Sequence, residues 1–500
     1  MRARWVGTLL VATLALGAAG CRADDPAPGA DAGAPGLVVD TAAGTVRGVD
    51  VDGIRFWRGL PYAAPPVGDL RWRPPEQPEP WTGVREAAES GPICLQGQPT
   101  SLGETGAGSE DCLTLDVRRP AGADRPLPVM VWFHGGGFVA GSGSEAIYGG
   151  AELARRGVVL VTVNYRLGRL GFLAHPALQE GDRRVGNFGL LDQVASLRWV
   201  RDNVAAFGGD ADRVTIFGQS AGAVSVDALM SSPEAAGLFD RAVAQSGLGR
   251  TTPLGWEQAM ADGQDALAAL AGPDPSAEEL RSLPAQAVAR LPLDLLSGEA
   301  PVVDDVLPVS VSDTFAAGDE ADVPYLAGTT DLEVGGGFPS PGPAAGRVRD
   351  LLLAELRPEL LAAYGDQAEL DRHLVADLLF TEPARHLVAL HSGPAFLYRF
   401  AIAPQPVLDS AGGAPHSSEL AFVFDDVRRQ GHPVANAEQL ADSVADLWVD
   451  FATDGEPDGW PPADSGQMMT FTPDGAAAAP DPWAARLDLV QTAYERLLDP

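Results

Sequence analysis

Mainly apolar positions fall into short runs at 127–133, 158–163, 214–217, 241–244, 323–327 and 396–400, each closed by glycine or turn residues. Runs of this length without polar alternation predict strands buried on both faces, as in the interior of a parallel sheet. Between the runs the period changes. Over 190–204, Leu191, Val194, Leu197 and Trp199 or Val200 recur near helical spacing, which predicts an amphipathic helix. Strands alternating with helices predict an α/β fold with a central, mostly parallel twisted sheet flanked by helices. Two Pro- and Gly-rich stretches, 335–346 and 453–465, read as surface loops.

The N-terminus breaks this pattern. Arg2 and Arg4 precede an apolar stretch, 5–16, that is short for a membrane span and right for an export signal. It ends in Ala18-Ala19-Gly20-Cys21, which is similar to a bacterial lipobox. On that reading Cys21 is lipidated and becomes the mature N-terminus; the alternative is an ordinary secretory signal with an incidental cysteine. Residues 1–20 are therefore expected to be a lipoprotein-type signal peptide, 21–36 a flexible tether rich in Asp, Ala, Pro and Gly, and 37–500 one domain. The expected location is outside the cytoplasm, lipid-anchored to the outer face of the bacterial cell membrane or otherwise secreted.

Composition narrows the partners. The chain is 45% hydrophobic over 500 residues, enough for a large core, and its formal net charge of −33 carries no lysine at all. Such acidity argues against nucleic acid or an anionic membrane surface as a partner, so membrane contact is expected only through the lipid anchor. The sequence leaves the oligomeric state open. Of the three cysteines, a lipidated Cys21 leaves Cys94 and Cys112 free to pair in an oxidising compartment; two free buried thiols are the alternative.

Candidate chemistry centres on Gly218-Gln219-Ser220-Ala221-Gly222, which follows the apolar run 214–217. A G-x-S-x-G turn sets a serine on a sharp strand-to-helix bend, with the helix dipole beside any developing oxyanion. By itself the pattern is weak, since random placement gives about 0.3 such pentapeptides in a chain with 58 glycines. A second element strengthens it. His134-Gly135-Gly136-Gly137-Phe138 follows another predicted strand and can turn backbone N–H groups toward a point charge, as an oxyanion hole requires. Seven histidines (134, 175, 373, 386, 391, 416 and 432) and 68 carboxylates leave base and acid unassigned on composition alone. The residues thus point to an acyl-transfer serine enzyme.

Ordered motifs then carry a family resemblance. They run from Trp57-Arg58-Gly59-Leu60-Pro61-Tyr62-Ala63 through Ser109-Glu110-Asp111-Cys112-Leu113, Asn164-Tyr165-Arg166-Leu167-Gly168, Gly186-Asn187-Phe188-Gly189 and Phe207-Gly208-Gly209-Asp210 into the serine turn. Over about residues 44–461 the chain resembles the type-B carboxylesterase family, the cholinesterase-like branch of the α/β-hydrolases, in a bacterial member. The resemblance implies an α/β-hydrolase fold and ester hydrolysis through an acyl-enzyme, with Ser220 as nucleophile, Glu333 as acid (Asp331 being its near competitor) and His416 as base. It also implies an oxyanion hole at the amides of Gly136, Gly137 and Ala221, a Cys94–Cys112 disulfide, and structural salt bridges Arg58–Glu110 and Arg166–Asp192. Ser246 is expected to support the triad, and Trp256 to line an acyl pocket or the core. No metal or organic cofactor is implied. The partner is a small-molecule ester, and the absence of aromatics between Cys94 and Cys112 argues against choline esters.

Overall fold

In the computed structural model, residues 36–97, 108–149, 151–335 and 341–498 are described. The expected signal segment, Cys21 and nearly all of the tether lie outside them, as does most of the segment between Cys94 and Cys112.

In chain order the strands are β1 (Val38–Asp40), β2 (Thr45–Arg47), β3 (Val49–Val51), β4 (Ile54–Pro61), β5 (Val84–Glu86), β6 (Thr114–Pro120), β7 (Leu127–Phe133) and β8 (Val159–Val163). There follow β9 (Gly209–Gln219), β10 (Arg241–Gln245), β11 (Tyr325–Thr330), β12 (Ala395–Phe400), β13 (Gln467–Thr472) and β14 (Gly475–Pro480). Strands β1, β2 and β5 form a small sheet of their own, and the other eleven form one large sheet in the order β14-β13-β12-β11-β10-β9-β7-β8-β6-β4-β3. Pairing is parallel from β13 through β8 and antiparallel at both margins. The large sheet is thus mixed, parallel through its centre and flanked by helices, the α/β architecture expected from the sequence.

All six predicted apolar strands form, and β7 shows why they lack polar alternation. Its odd positions, Val129, Val131 and Phe133, enter one core with Leu190, Leu191, Val194 and Leu197 of the helix Phe188–Asn203. Its even positions, Met130 and Trp132, enter a second core on the opposite face with Val444, Trp448 and Phe451 of the helix Ala437–Asp454. Period-2 side chains meet apolar partners on both sides, so every position is buried.

The margins were hidden from that criterion. β6 carries Asp116, Arg118 and Arg119, yet Asp116 is buried because it accepts from the Gly59 amide (2.8 Å) and the Ser90 hydroxyl (2.5 Å) and faces Arg118 at 3.6 Å. Long-range partners make a strand of a charged segment. The proline-rich stretch expected as a loop at 335–346 instead turns into the helix Gly342–Glu355.

Cys94 and Cys112 form a disulfide. Arg166 and Asp192 pair as expected, buried and bidentate at 2.7 and 2.8 Å. The expected Arg58–Glu110 pair is not formed. A register shift in β4 between Trp57 and Leu60 turns Arg58 toward the Ala88 carbonyl (3.1 Å) and over the Phe56 ring. Arg71 takes Glu110 instead, through two bonds of 2.7 Å, and also donates to the Leu283 carbonyl. Trp256 packs in a small core with Ala174, Ala259 and Val302. Among the described residues no helix is long and apolar enough to cross a membrane.

Candidate active site

Ser220 sits between β9 and the helix Ala221–Met230, with φ 58° and ψ −123°. A non-glycine residue in this region costs about 1–3 kcal/mol and persists only where the surroundings over-determine it. They do so here. The Ser220 amide donates to the Gln245 carbonyl (2.9 Å) on β10, and its carbonyl accepts from Val224 (3.0 Å) in the first helical turn. The flanking glycines are required by space. A Cβ on Gly222 would stand 2.0 Å from the Phe133 carbonyl oxygen, and one on Gly218 would stand 2.4 Å from that of Gly222. The bend is thus pressed against the end of β7, and Ser220 itself is left partly exposed.

That same end of β7 carries the glycine loop. A Cβ on Gly135 would lie 3.1 Å from the Ser220 Cβ, so loop and serine turn are in direct contact. Gly136 and Gly137 have φ 105° and 63°, conformations that β-carbons disfavour. Beyond them Phe138 is fully buried against Phe172 and anchors the loop. Ala221 opens the helix, so no helix carbonyl lies within reach of its N–H. His134 is not part of this chemistry. It is buried, stacked on Tyr165 with ring centroids 4.4 Å apart, and burial lowers its pKa to about 4, so it is a neutral support.

Glu333 and His416 come from two loops that pair with each other. The Leu332 amide donates to the Ala414 carbonyl (3.1 Å) and the His416 amide to the Glu333 carbonyl (3.0 Å). Asp331 accepts from the Ala414 amide at 2.5 Å, so the competing acid props the histidine loop and does not face the imidazole. Glu333 is buried with φ 51°; its Oε1 accepts from the Thr330 amide and the Ser246 hydroxyl, both at 2.7 Å, and its Oε2 bonds His416 Nδ1. Ser246 supports the carboxylate, as expected from the sequence. A proton on Nδ1 leaves Nε2 as an acceptor, and that atom lies 3.0 Å from the Gln219 amide nitrogen.

Burial alone would disfavour the imidazolium, but the charge and hydrogen bond of Glu333, aided by Glu419, more than offset it and hold the His416 pKa above its ordinary value. The remaining histidines lie elsewhere; His391, for instance, bonds Glu320 and the Val323 carbonyl near the start of β11.

Three neighbours were not anticipated from the sequence. Gln219, an unconstrained position of the G-x-S-x-G pattern, contacts Nε2. Phe380 places its ring 5.2 Å from the His416 ring, from the buried π-helical segment Asp377–Thr381. Glu419 is fully buried three residues beyond His416, at the end of the turn that precedes the helix Leu420–Val423. Phe380 has no motif around it, and nothing local marks Glu419 as buried.

A model described as the carboxylesterase family matches residues 35–341 and 357–484. The chain belongs to the carboxylesterase family. This carboxylesterase is 37% identical over 451 residues to the para-nitrobenzyl esterase of Bacillus subtilis, covering 84% of this chain and 90% of that one. It is also 37% identical over 487 residues to the fumonisin B1 esterase of Sphingopyxis macrogoltabida, covering 87% and 86%. Among solved structures, a thermophilic para-nitrobenzyl esterase superposes with a TM-score of 0.80 at 33% identity, covering 91% of this chain and 99% of that one. A carboxylesterase of Geobacillus stearothermophilus gives 0.77 at 35% identity, covering 91% and 100%. The protein is accordingly a hydrolase acting on carboxylic esters.

Proposed function

We propose that this carboxylesterase is exported and works through a Ser220–His416–Glu333 triad and a covalent acyl-enzyme. The observation that carries the reading is the buried Glu333–His416 pair, which presents Nε2 as an acceptor in contact with Gln219, the residue directly before Ser220. In this mechanism His416 takes the Ser220 proton as the hydroxyl attacks the ester carbonyl, and Glu333 stabilises the imidazolium that forms. The oxyanion is held by the amides of Gly136, Gly137 and Ala221. His416 then protonates the leaving alcohol, and water repeats the attack on the acyl-enzyme.

Substrates are uncharged carboxylic esters of small or medium size, in line with a relative named for para-nitrobenzyl esters. No aromatic lies between Cys94 and Cys112 to receive a quaternary ammonium, which speaks against choline esters. Export rests on the basic, apolar N-terminus, and lipid anchoring on Cys21 after Ala18-Ala19-Gly20. Mass spectrometry of the mature N-terminus is expected to find a lipidated Cys21.

The decisive test pairs Ser220→Ala with a panel of p-nitrophenyl esters and matching anilides. Ester turnover vanishing in the variant, with esters far preferred to anilides in the parent, is the expected result. Ester hydrolysis retained by Ser220→Ala overturns the mechanism.

A further inference from the structure

Glu419 is completely buried, and no arginine pairs with it among the described residues. Its hydrogen bonds can be assigned without ambiguity. The Trp448 indole N–H only donates, and it donates to Gln245 Oε1 (3.2 Å), which turns the Gln245 NH2 group toward Glu419 Oε1 (3.3 Å). Oε1 is therefore an acceptor. Oε2 has no partner among the described residues, and neither does the buried hydroxyl of Tyr398. A buried anionic oxygen with no donor is far more costly than a buried carboxylic acid, so the unpartnered oxygen takes the proton whenever Glu419 is neutral.

Glu333 decides which of the two carboxyls is charged. It accepts from the Thr330 amide, the Ser246 hydroxyl and His416 Nδ1, whereas Glu419 has one side-chain donor, Gln245, besides its own backbone amide. The groups facing Glu419 are His416 on its own loop, Glu333 from the loop after β11, Tyr398 from β12 and Tyr148 from the 146–148 turn. Of these only His416 can offer it a positive charge. Burial, and next the charge of Glu333, push the Glu419 pKa up to about 7, into the range where His416 titrates.

We infer that Glu419 is a positioning residue of the proposed triad, a second carboxyl beside Glu333 that titrates together with His416, so that its charge sets the pH range over which Ser220 is activated. The inference rests on the triad reading above. Two groups coupled this closely lose their protons in steps that belong to the pair. An ionised Glu419 favours the imidazolium, so removing that charge lowers the pH at which His416 becomes a competent base.

The test is the pH profile of kcat/KM for Glu419→Gln, which keeps the shape and abolishes the titration. The acid limb is expected to move to lower pH by about one unit, the lower end of the shift that an adjacent opposite charge produces. Structural damage lowers the whole profile without moving its midpoint. Glu419→Asp should return the midpoint toward that of the parent. If Glu419→Gln does not fold, Gln245→Leu reads the same coupling, because Glu419 deprived of its one side-chain donor ionises later and the limb again moves toward acid. An unmoved midpoint in folded Glu419→Gln, or in Gln245→Leu if the first variant does not fold, overturns the inference. The triad reading stands or falls separately on Ser220→Ala.

Discussion

Replacing Glu333 with glutamine exchanges one oxygen for an NH2 group and, by the geometry of the site, moves the proton on His416 to the wrong nitrogen. Two donors converge on Glu333 Oε1, the Thr330 amide and the Ser246 hydroxyl, each at 2.7 Å. The Thr330 N–H cannot accept. Turning the new NH2 group toward it would leave two buried donors opposed, at about 1–3 kcal/mol for an unsatisfied group. The glutamine oxygen therefore stays with Thr330 and the NH2 group faces His416 Nδ1. That nitrogen must then accept, the ring proton moves to Nε2, and Nε2 can no longer take the Ser220 proton. A tautomer fault of this kind, with geometry preserved, lowers kcat by roughly 10⁴, or about 5.4 kcal/mol of transition-state stabilisation. Steady-state hydrolysis of a p-nitrophenyl ester measures it, with the thermal unfolding midpoint as the control for folding. A folded variant whose kcat lies within about tenfold of the parent refutes the reasoning.

The acid limb of activity should lie above the ordinary imidazole value of about 6.5, because the His416 pKa is raised and only the neutral ring is a base. A free imidazole would lose activity only below roughly pH 6, so a midpoint that low in a kcat/KM profile counts against the ion pair. Gly222→Ala is expected to destabilise by at least about 3 kcal/mol, since its Cβ would meet the Phe133 carbonyl at 2.0 Å with no flexible side chain to yield; calorimetry checks this. Arg166→Met should cost about 3–5 kcal/mol in denaturant unfolding, because it strands the fully buried Asp192.

Much of the fold was legible because its interior strands obey a local rule. A strand covered on both faces must be apolar at every position, so β7, β8 and β11 announce themselves in one dimension. The serine turn was legible for a similar reason, since Gly218 and Gly222 are demanded by contacts a few residues away and by the end of β7. The order of motifs added Glu333 and His416, and the structure brings these two together through paired loops.

What the sequence could not determine depends on partners distant along the chain. The charged strand β6 is buried only because Gly59 and Ser90 satisfy Asp116. Glu110 has two candidate arginines, and a shifted register in β4 gives it Arg71 rather than Arg58. Gln219, Phe380 and Glu419 reach His416 or its surroundings from the end of β9, a π-helical segment and a buried loop. Periodicity and turn chemistry report the backbone and the face a residue occupies. Proton placement and charge depend on which donors and carboxylates converge in three dimensions, and only the tertiary structure decides that.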